Sequence, residues 1–410
     1  MRRVKKIKAS ALHFAVLIAT VVGLLLISFL LITKTHSFFK TQSRDFIEAV
    51  DAVNFGLKSA LLSNELQISD SINYIFNGHE LSISKSFLGA FELYKTTDQK
   101  SGFSKIALSG ARYKKDFPSI YLQDNFLPLV VSGETYIEGT TYLPESGVKS
   151  SAISGHHYTG GTLIYGPIKK ASKNFPSLDI AWQEYFEKLL KFVPSSKDKV
   201  AEFNKDISNS FFNTPIYLYD QRPILLDNTY LGHIIIKSDK QITVSSFCNL
   251  DQVTVIAPIV KIEEGFRGSV HVLASDSIVI DKKVFLEYPS SLSVLVKQKD
   301  SEQQSAIVIN QNATVKGNII YIEEQQEELS SNILIEKDAV FEGAIYAQGA
   351  VEIKGEVTGS IYTHYFVAKE FGNIYRNHIY SGRIVTKDIK DNFCGLPLAN
   401  YKKGIAKWLY

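Results

Sequence analysis

From Ala11 to Ile32 the chain reads ALHFAVLIATVVGLLLISFLLI, 22 residues without Lys, Arg, Asp or Glu. As a helix rising about 1.5 Å per residue, this run covers about 33 Å, enough for the hydrocarbon core of a bilayer. A cleaved signal peptide has a shorter apolar stretch ending at a small-residue site. Here the run is followed by Thr33-Lys34-Thr35-His36 instead. Beyond it, Phe46, Val50, Val53, Leu57 and Leu61 step by 4, 3, 4 and 4. That spacing makes one apolar stripe on a helix, with Asp45, Glu48, Asp51 and Lys58 off the stripe. No proline occurs in residues 1–117. The pattern predicts a basic leader over 1–8, a transmembrane helix over 9–33 and an amphipathic stalk helix over 34–66. Together they form one rod from about Ser10 to Leu62.

The pattern then changes to short apolar-x-apolar triplets. Ile242-Thr-Val244, Val260-Lys-Ile262 and Ile278-Val-Ile280 recur every 18 residues, as do Ile333-Leu-Ile335 and Val351-Glu-Ile353. A second series carries Val, a glycine and then Ile: Val315-Lys-Gly317-Asn-Ile319, Val340-Phe-Glu-Gly343-Ala-Ile345 and Val357-Thr-Gly359-Ser-Ile361. One such unit cannot hide its apolar side alone, so the period predicts stacking. The fold class expected is mainly β: a right-handed parallel β-helix with an N-terminal transmembrane helix and a small helical insertion. Val244, Val260, Ile262, Ile278, Ile280, Ile335 and Ile353 are expected in the solenoid core. Gly317, Gly343 and Gly359 are expected at coil corners, where a Cβ would clash.

Earlier residues show the same texture. Strands at Glu80 to Ser84, Gly89 to Tyr94 and Lys105 to Leu108 predict a membrane-proximal β-rich subdomain over 67–126. Leu129-Val-Val-Ser-Gly133 and Thr135-Tyr-Ile-Glu-Gly139 begin a first set of coils over 127–169. The segment 170–212 reads as an insertion, with helical periodicity from Leu178 to Leu190 and Asp179 as its cap. The main β-helix follows over 213–390. In the tail, 391–410, Leu398, Tyr401, Ile405 and Trp408 step by 3, 4 and 3, which predicts a capping element.

Two resemblances follow from these residues. A basic leader ending in Lys8-Ala9, followed by a long helix with an amphipathic second half, resembles a type IV pilin or type II secretion pseudopilin. The resemblance implies leader cleavage after Ala9, between Ala9 and Ser10, or after Lys8; for the first, Ser10 and Phe14 stand where that family has Phe and Glu. The stretch from Val315 to Val385, with VKGNI and DAVFEGAIYAQGAVEIKGEVTGSIY, resembles the bactofilins. This second resemblance implies a β-helix capable of self-association.

Composition narrows function mainly by exclusion. Lys and Arg number 45 against 42 Asp and Glu, and five of the basic residues lie in the first eight positions. That balance excludes a basic nucleic-acid binder. The cluster ahead of the apolar run predicts a cytoplasmic N-terminus in a bacterial inner membrane, with the bulk periplasmic. Cys248 and Cys394 are too few for a disulfide framework. Adjacent His156 and His157 on a strand would face opposite ways and cannot alone chelate a metal. His233, His271 and His364 read as structural, and Asp251, Asp276, Asp281 and Glu287 show no pairing by spacing. The Glu323–Glu328 run reads as a solvated loop between coils. No catalytic, cofactor or metal residue is assigned. The expected function is a membrane-anchored, non-enzymatic scaffold whose partners are the bilayer, envelope or secretion-apparatus proteins and other copies of itself. The alternative is an envelope-tethered β-helix that binds or cleaves polysaccharide.

Overall fold

A computed structural model describes residues 9–62, 71–113, 117–195, 198–296, 306–323, 331–387, 389, 393–399 and 401–409. Of these, 51% lie in strands and 18% in helices, so the protein is mainly β. The leader 1–8 and the Glu324–Glu328 part of the acidic run fall outside the described residues.

One uninterrupted helix, α1, runs from Ala9 to Leu62. The large apolar side chains from Leu12 to Phe39 are uncovered, most of them 50–70% exposed. Its second half lies on an antiparallel sheet. Val53 and Leu57 of the expected stripe are buried, but small residues share the contact: Ala49, Ala52 and Ala60 are buried too. At Gly56 an added Cβ would lie 2.9 Å from Leu81 Cδ1, so helix and sheet approach closely. The stripe's first member, Phe46, stays 53% exposed, with the Phe103 ring edge-on to it at 5.3 Å.

The sheet contains β1 (Ser71–Phe76), β2 (His79–Leu88), β3 (Phe91–Asp98), β4 (Ser104–Ala111) and, at its far side, the C-terminal strand Lys403–Leu409. This last strand comes from the tail expected to be a capping element. Residues 403–409 are extended and pair antiparallel with β4. Everything from Phe117 to Leu398 is therefore inserted between two neighbouring strands of one sheet. Ile120–Leu122 pairs with this inserted part, so the sheet subdomain ends before residue 117, short of the expected 126.

The insert is built on parallel strands whose pairings link into one closed set, with additional sheets beside it. Partners are 18 residues apart at Ile216↔Ile234, Ile242↔Val260, Val260↔Ile278 and Ile333↔Val351. The step widens at Ile278↔Ile307 and Ile307↔Ile333. Val244, Val260, Ile262, Ile278, Ile280, Ile335 and Ile353 are all buried in one continuous apolar cluster. Gly317, Gly343 and Gly359 pair in register at φ of +142°, +150° and +148°. A Cβ on each would overlap the carbonyl of the step below, at Ser290, Gly317 and Gly343 respectively.

Chain order and spatial order differ. The early strands do not precede the later ones. Ile120 pairs with Ile361, Val131 with Ile379 and Ile137 with Ile384, which places them beyond the last late step. The segment 171–200 must then travel back along the whole assembly, and its contacts trace that path. Phe175 meets Tyr346 and His364. Helix α2 (Ile180–Lys191), capped by Asp179 as expected, follows. Lys237 donates to the carbonyls of Leu190 and Phe192, Phe192 meets Tyr217, and Val200 pairs with Tyr217. This strap covers an outward apolar row formed by Ile235, Ile256, Leu273, Leu295, Ile320, Tyr346 and Tyr362.

Trp182 is the anchor of that cover. Its ring is fully buried and its Nε1 donates to Gly89 O at 2.8 Å. Trp182→Ala should cost about 3–5 kcal/mol in chemical denaturation. Leu225→Ala, at a side chain 60% exposed, should change stability by less than about 0.5 kcal/mol. Equal effects would mean that the strap contributes nothing to the stability of the parallel strands.

Candidate functional site

Three polar centres stand out, and all lie where elements distant in sequence meet. The first is a charged cluster on the helix side of the antiparallel sheet. Lys85 on β2 lies 3.0 Å from Glu92 on β3 and 2.9 Å from Asp179 at the α2 cap. Lys403 on the C-terminal strand lies 2.9 Å from the same Glu92 oxygen, and Tyr94 donates to the other at 3.0 Å. Burial disfavours the charge on Lys85, but Glu92 and Asp179 outweigh it and hold its pKa above the ordinary value. Burial and the neighbouring Glu92 push the Tyr94 phenol upward. Two cations and two carboxylates balance, so the cluster ties four elements together without a net buried charge.

The second centre is His271, fully buried at the seam between the sheet and the parallel strands. Ser291 Oγ accepts from Ala90 N at 3.1 Å, leaving its proton to point at His271 Nδ1, 3.0 Å away. Nε2 then carries the proton and faces Gln252 Oε1 at 3.2 Å. Gln252 Nε2 donates to Ser269 Oγ at 2.8 Å, and Ser269 donates to Asp251 Oδ1 at 2.6 Å. Donors running from the Gln252 side place the ring proton on Nε2, and burial keeps the imidazole neutral. Burial lowers the His271 pKa to about 3. Gly89, at φ +56°, is required here because a Cβ would overlap Ser291 Oγ. The Ser-His contact resembles half of a nucleophilic pair, but the histidine is sealed from solvent and its second nitrogen faces an amide, not a carboxylate.

The relay opens on the third centre, a groove of about 360 Å³ between Ser208–Phe211, Leu231–Gly232, Asp251–Gln252 and Lys407–Leu409. Asp251 lies 3.2 Å from Lys407. Trp408 contributes to the lining, but its indole, 36% exposed, turns to the face opposite Lys407, where Lys105 Nζ lies 5.2 Å from its ring centre. A second cleft, of about 410 Å³, lies where α1 leaves the sheet. Gln42, Asp45, Phe46, His79, Lys100 and Ser101 line it. Behind it His79 Nδ1 sits 3.1 Å from the buried Asp98. Burial would raise the Asp98 pKa, but bonds from Ser101 and His79 overcome it and lower it.

The structure scatters the residues singled out by sequence. His156 and His157 are exposed, and His156 stacks on Phe371 at 5.6 Å. His233 meets the Asn213 carbonyl, and Asp281 lies near Lys261 while Asp251 is at the groove. Among the described residues no group of three His, Cys, Asp or Glu could hold a metal. Both cysteines are buried thiols outside any disulfide, and burial pushes Cys248 up to about 12 and Cys394 up to about 11. Such thiols are poor nucleophiles. The charged cluster was missed. Glu92 alternates with Phe91 and Leu93 as a solvent-facing residue would, and Lys403 lies 309 positions from Tyr94, to which it donates at 2.9 Å; only Lys85, at an inward position of the Leu81, Ile83, Phe87 series, carried a signal.

No family model, curated protein or solved structure matches this chain.

The neutral relay has a pH consequence. Between pH 6.5 and about 3 the unfolded chain takes up a proton that folded His271 refuses. Stability should therefore fall as the pH drops through that window. His271→Gln should lower stability at pH 7 yet flatten the decline between pH 6.5 and 4, as read from urea midpoints. An unchanged slope would remove His271 as its source.

Proposed function

We propose that this chain is a membrane-anchored, non-enzymatic structural protein that presents a bactofilin-like, right-handed parallel β-helix outside the bacterial inner membrane. In this reading residues 1–8 are cytoplasmic, and the protein serves a pilin-like or type II-like secretion apparatus in the envelope. One observation carries the anchoring. Among the described residues a single helix is long and apolar enough to cross a membrane, and the apolar part of it is wholly uncovered. A buried-core helix of a soluble protein would not leave such a run unpacked.

Two features support the rest. The 18-residue step, the in-register Gly317, Gly343 and Gly359, and inward Ile and Val at each step are what coils of a β-helix require. The second half of α1, seated on an antiparallel sheet, supports the pilin-like reading of the amphipathic segment. A structural role also fits the buried polar centres, which close on themselves and join elements.

Alkaline carbonate should leave the protein in the membrane pellet, and deleting Ala11–Ile32 should release it. A reporter fused after Tyr410 should be active only outside the cytoplasm. Release of the intact chain by carbonate would end the anchoring reading. Amino-terminal sequencing should find Ser10 first; a mature chain beginning at Met1 would end the leader-processing reading alone.

A further inference from the structure

Among the described residues the antiparallel sheet has one open edge. Its order is β1-β2-β3-β4 followed by the C-terminal strand. The C-terminal strand lies against the parallel assembly, with Lys407 reaching Asp251. At the other side β1 pairs with β2 over all six residues, and among the described residues it has no second neighbour. Its sequence is Ser-Ile-Asn-Tyr-Ile-Phe. It contains no charge, proline or glycine, the features that normally block strand addition at an edge. Its large side chains are out in the open: Ile72 is 40%, Tyr74 44% and Ile75 75% exposed. Phe76 and Tyr74 are steadied from the helix side by Phe55, whose ring lies 4.0 Å and 6.0 Å from theirs. The edge is thus apolar on both faces and held extended.

The simplest occupant would be β1 of a second copy, and geometry excludes it for a protein anchored as proposed above. Helix α1 lies flat on the sheet and runs along β2. Its Val53 packs on Leu81, and its later Leu57 packs with Ile83. Antiparallel pairing of two identical edges needs a two-fold axis perpendicular to the sheet. That axis reverses α1, so the two apolar segments would leave in opposite directions and could not enter one bilayer from the same side. A two-fold axis along the strands would keep the helices codirectional. It would, however, set N–H against N–H and carbonyl against carbonyl.

We propose that β1 is a docking edge for an extended segment of a different protein, which adds as a sixth strand of the sheet. The chemistry of the edge defines the segment. It is uncharged and β-prone, and its alternate apolar residues lie beside Ile72 and Tyr74 on the helix side and beside Ile75 on the other. Main-chain hydrogen bonds supply affinity and these side chains supply selection. The inference rests on the anchoring reading only for the exclusion of self-pairing.

The test uses the full chain in single-bilayer nanodiscs. The probe is a synthetic Ser-Ile-Asn-Tyr-Ile-Phe peptide with a solubilising Lys tail, which carries no helix and is free to align antiparallel with β1. Hydrogen exchange over residues 71–76 should be fast at alternate amides without the peptide and slow with it. Ile75→Lys, at a side chain already in solvent, should leave folding intact and weaken the peptide about tenfold. Slow exchange at every β1 amide before peptide is added would overturn the proposal, because the edge would already be covered. Unchanged exchange on peptide addition, or equal binding by Ile75→Lys, would also overturn it. A disulfide between Asn73→Cys copies inside one disc would overturn it in favour of self-pairing. Failure of the anchoring reading would appear separately, as protein that never enters the disc.

Discussion

An apolar row on the outside of the parallel strands governs how the rest of this chain is arranged. Ile235, Ile256, Leu273, Leu295, Ile320, Tyr346 and Tyr362 point away from the inner core yet are buried. Leaving seven such side chains in water would forfeit about 1.5–3 kcal/mol each. The chain answers with separate covers. The strap with α2 lies along the row. Phe87 and Ala90 of the sheet region and Phe393, Leu396 and Leu398 near the C-terminus fill the remainder. One surface thereby fixes the strap's path, the seat of the sheet and the return of the tail.

Covering that row brings polar backbone and charge into contact far from their sequence neighbours, and the buried networks are the consequence. The Trp182 indole needs an acceptor and finds the Gly89 carbonyl. Gly89 in turn has no room for a side chain because Ser291 and His271 lie against it. Asp179 caps α2 and at the same time pairs with Lys85, so the start of the strap is bonded to the sheet that covers it. Breaking such a pair would leave an uncompensated charge in the interior, a larger penalty than the pair's own net contribution. These networks register the sheet, strap and parallel strands against one another.

Local pattern made several elements legible. The uncharged run and its 4-3-4-4 continuation identify α1, because lipid and a flat sheet both impose simple demands on a helix surface. The 18-residue recurrence identifies the parallel strands and the inward positions, and Asp179 identifies the start of α2. Other features were not legible. Nothing in the spacing of Leu398, Tyr401, Ile405 and Trp408 names a strand, yet residues 403–409 form one because β4 offers a free edge. The small residues Ala49, Ala52, Gly56 and Ala60 carry no hydrophobic signal, yet they set how closely α1 approaches the sheet. Runs such as Ile234-Ile-Ile236 and Ile319-Ile-Tyr-Ile322 are apolar on both faces, but nothing in them names the cover.

What the sequence determined alone is periodic: a helix that suits lipid, a stalk with one apolar stripe, and short strands that must stack. Each follows from the spacing of side chains along one backbone. Tertiary structure alone decided the order of stacking, with 120–170 beyond 356–385, and the insertion of the whole parallel part between β4 and the final strand. It also decided the path of the strap and the meeting of Lys85, Glu92, Asp179 and Lys403. The physical reason is that near-identical steps present near-identical edges. Local pattern therefore cannot say which edge a given strand will meet, and only burial of the shared outer row distinguishes one arrangement from another.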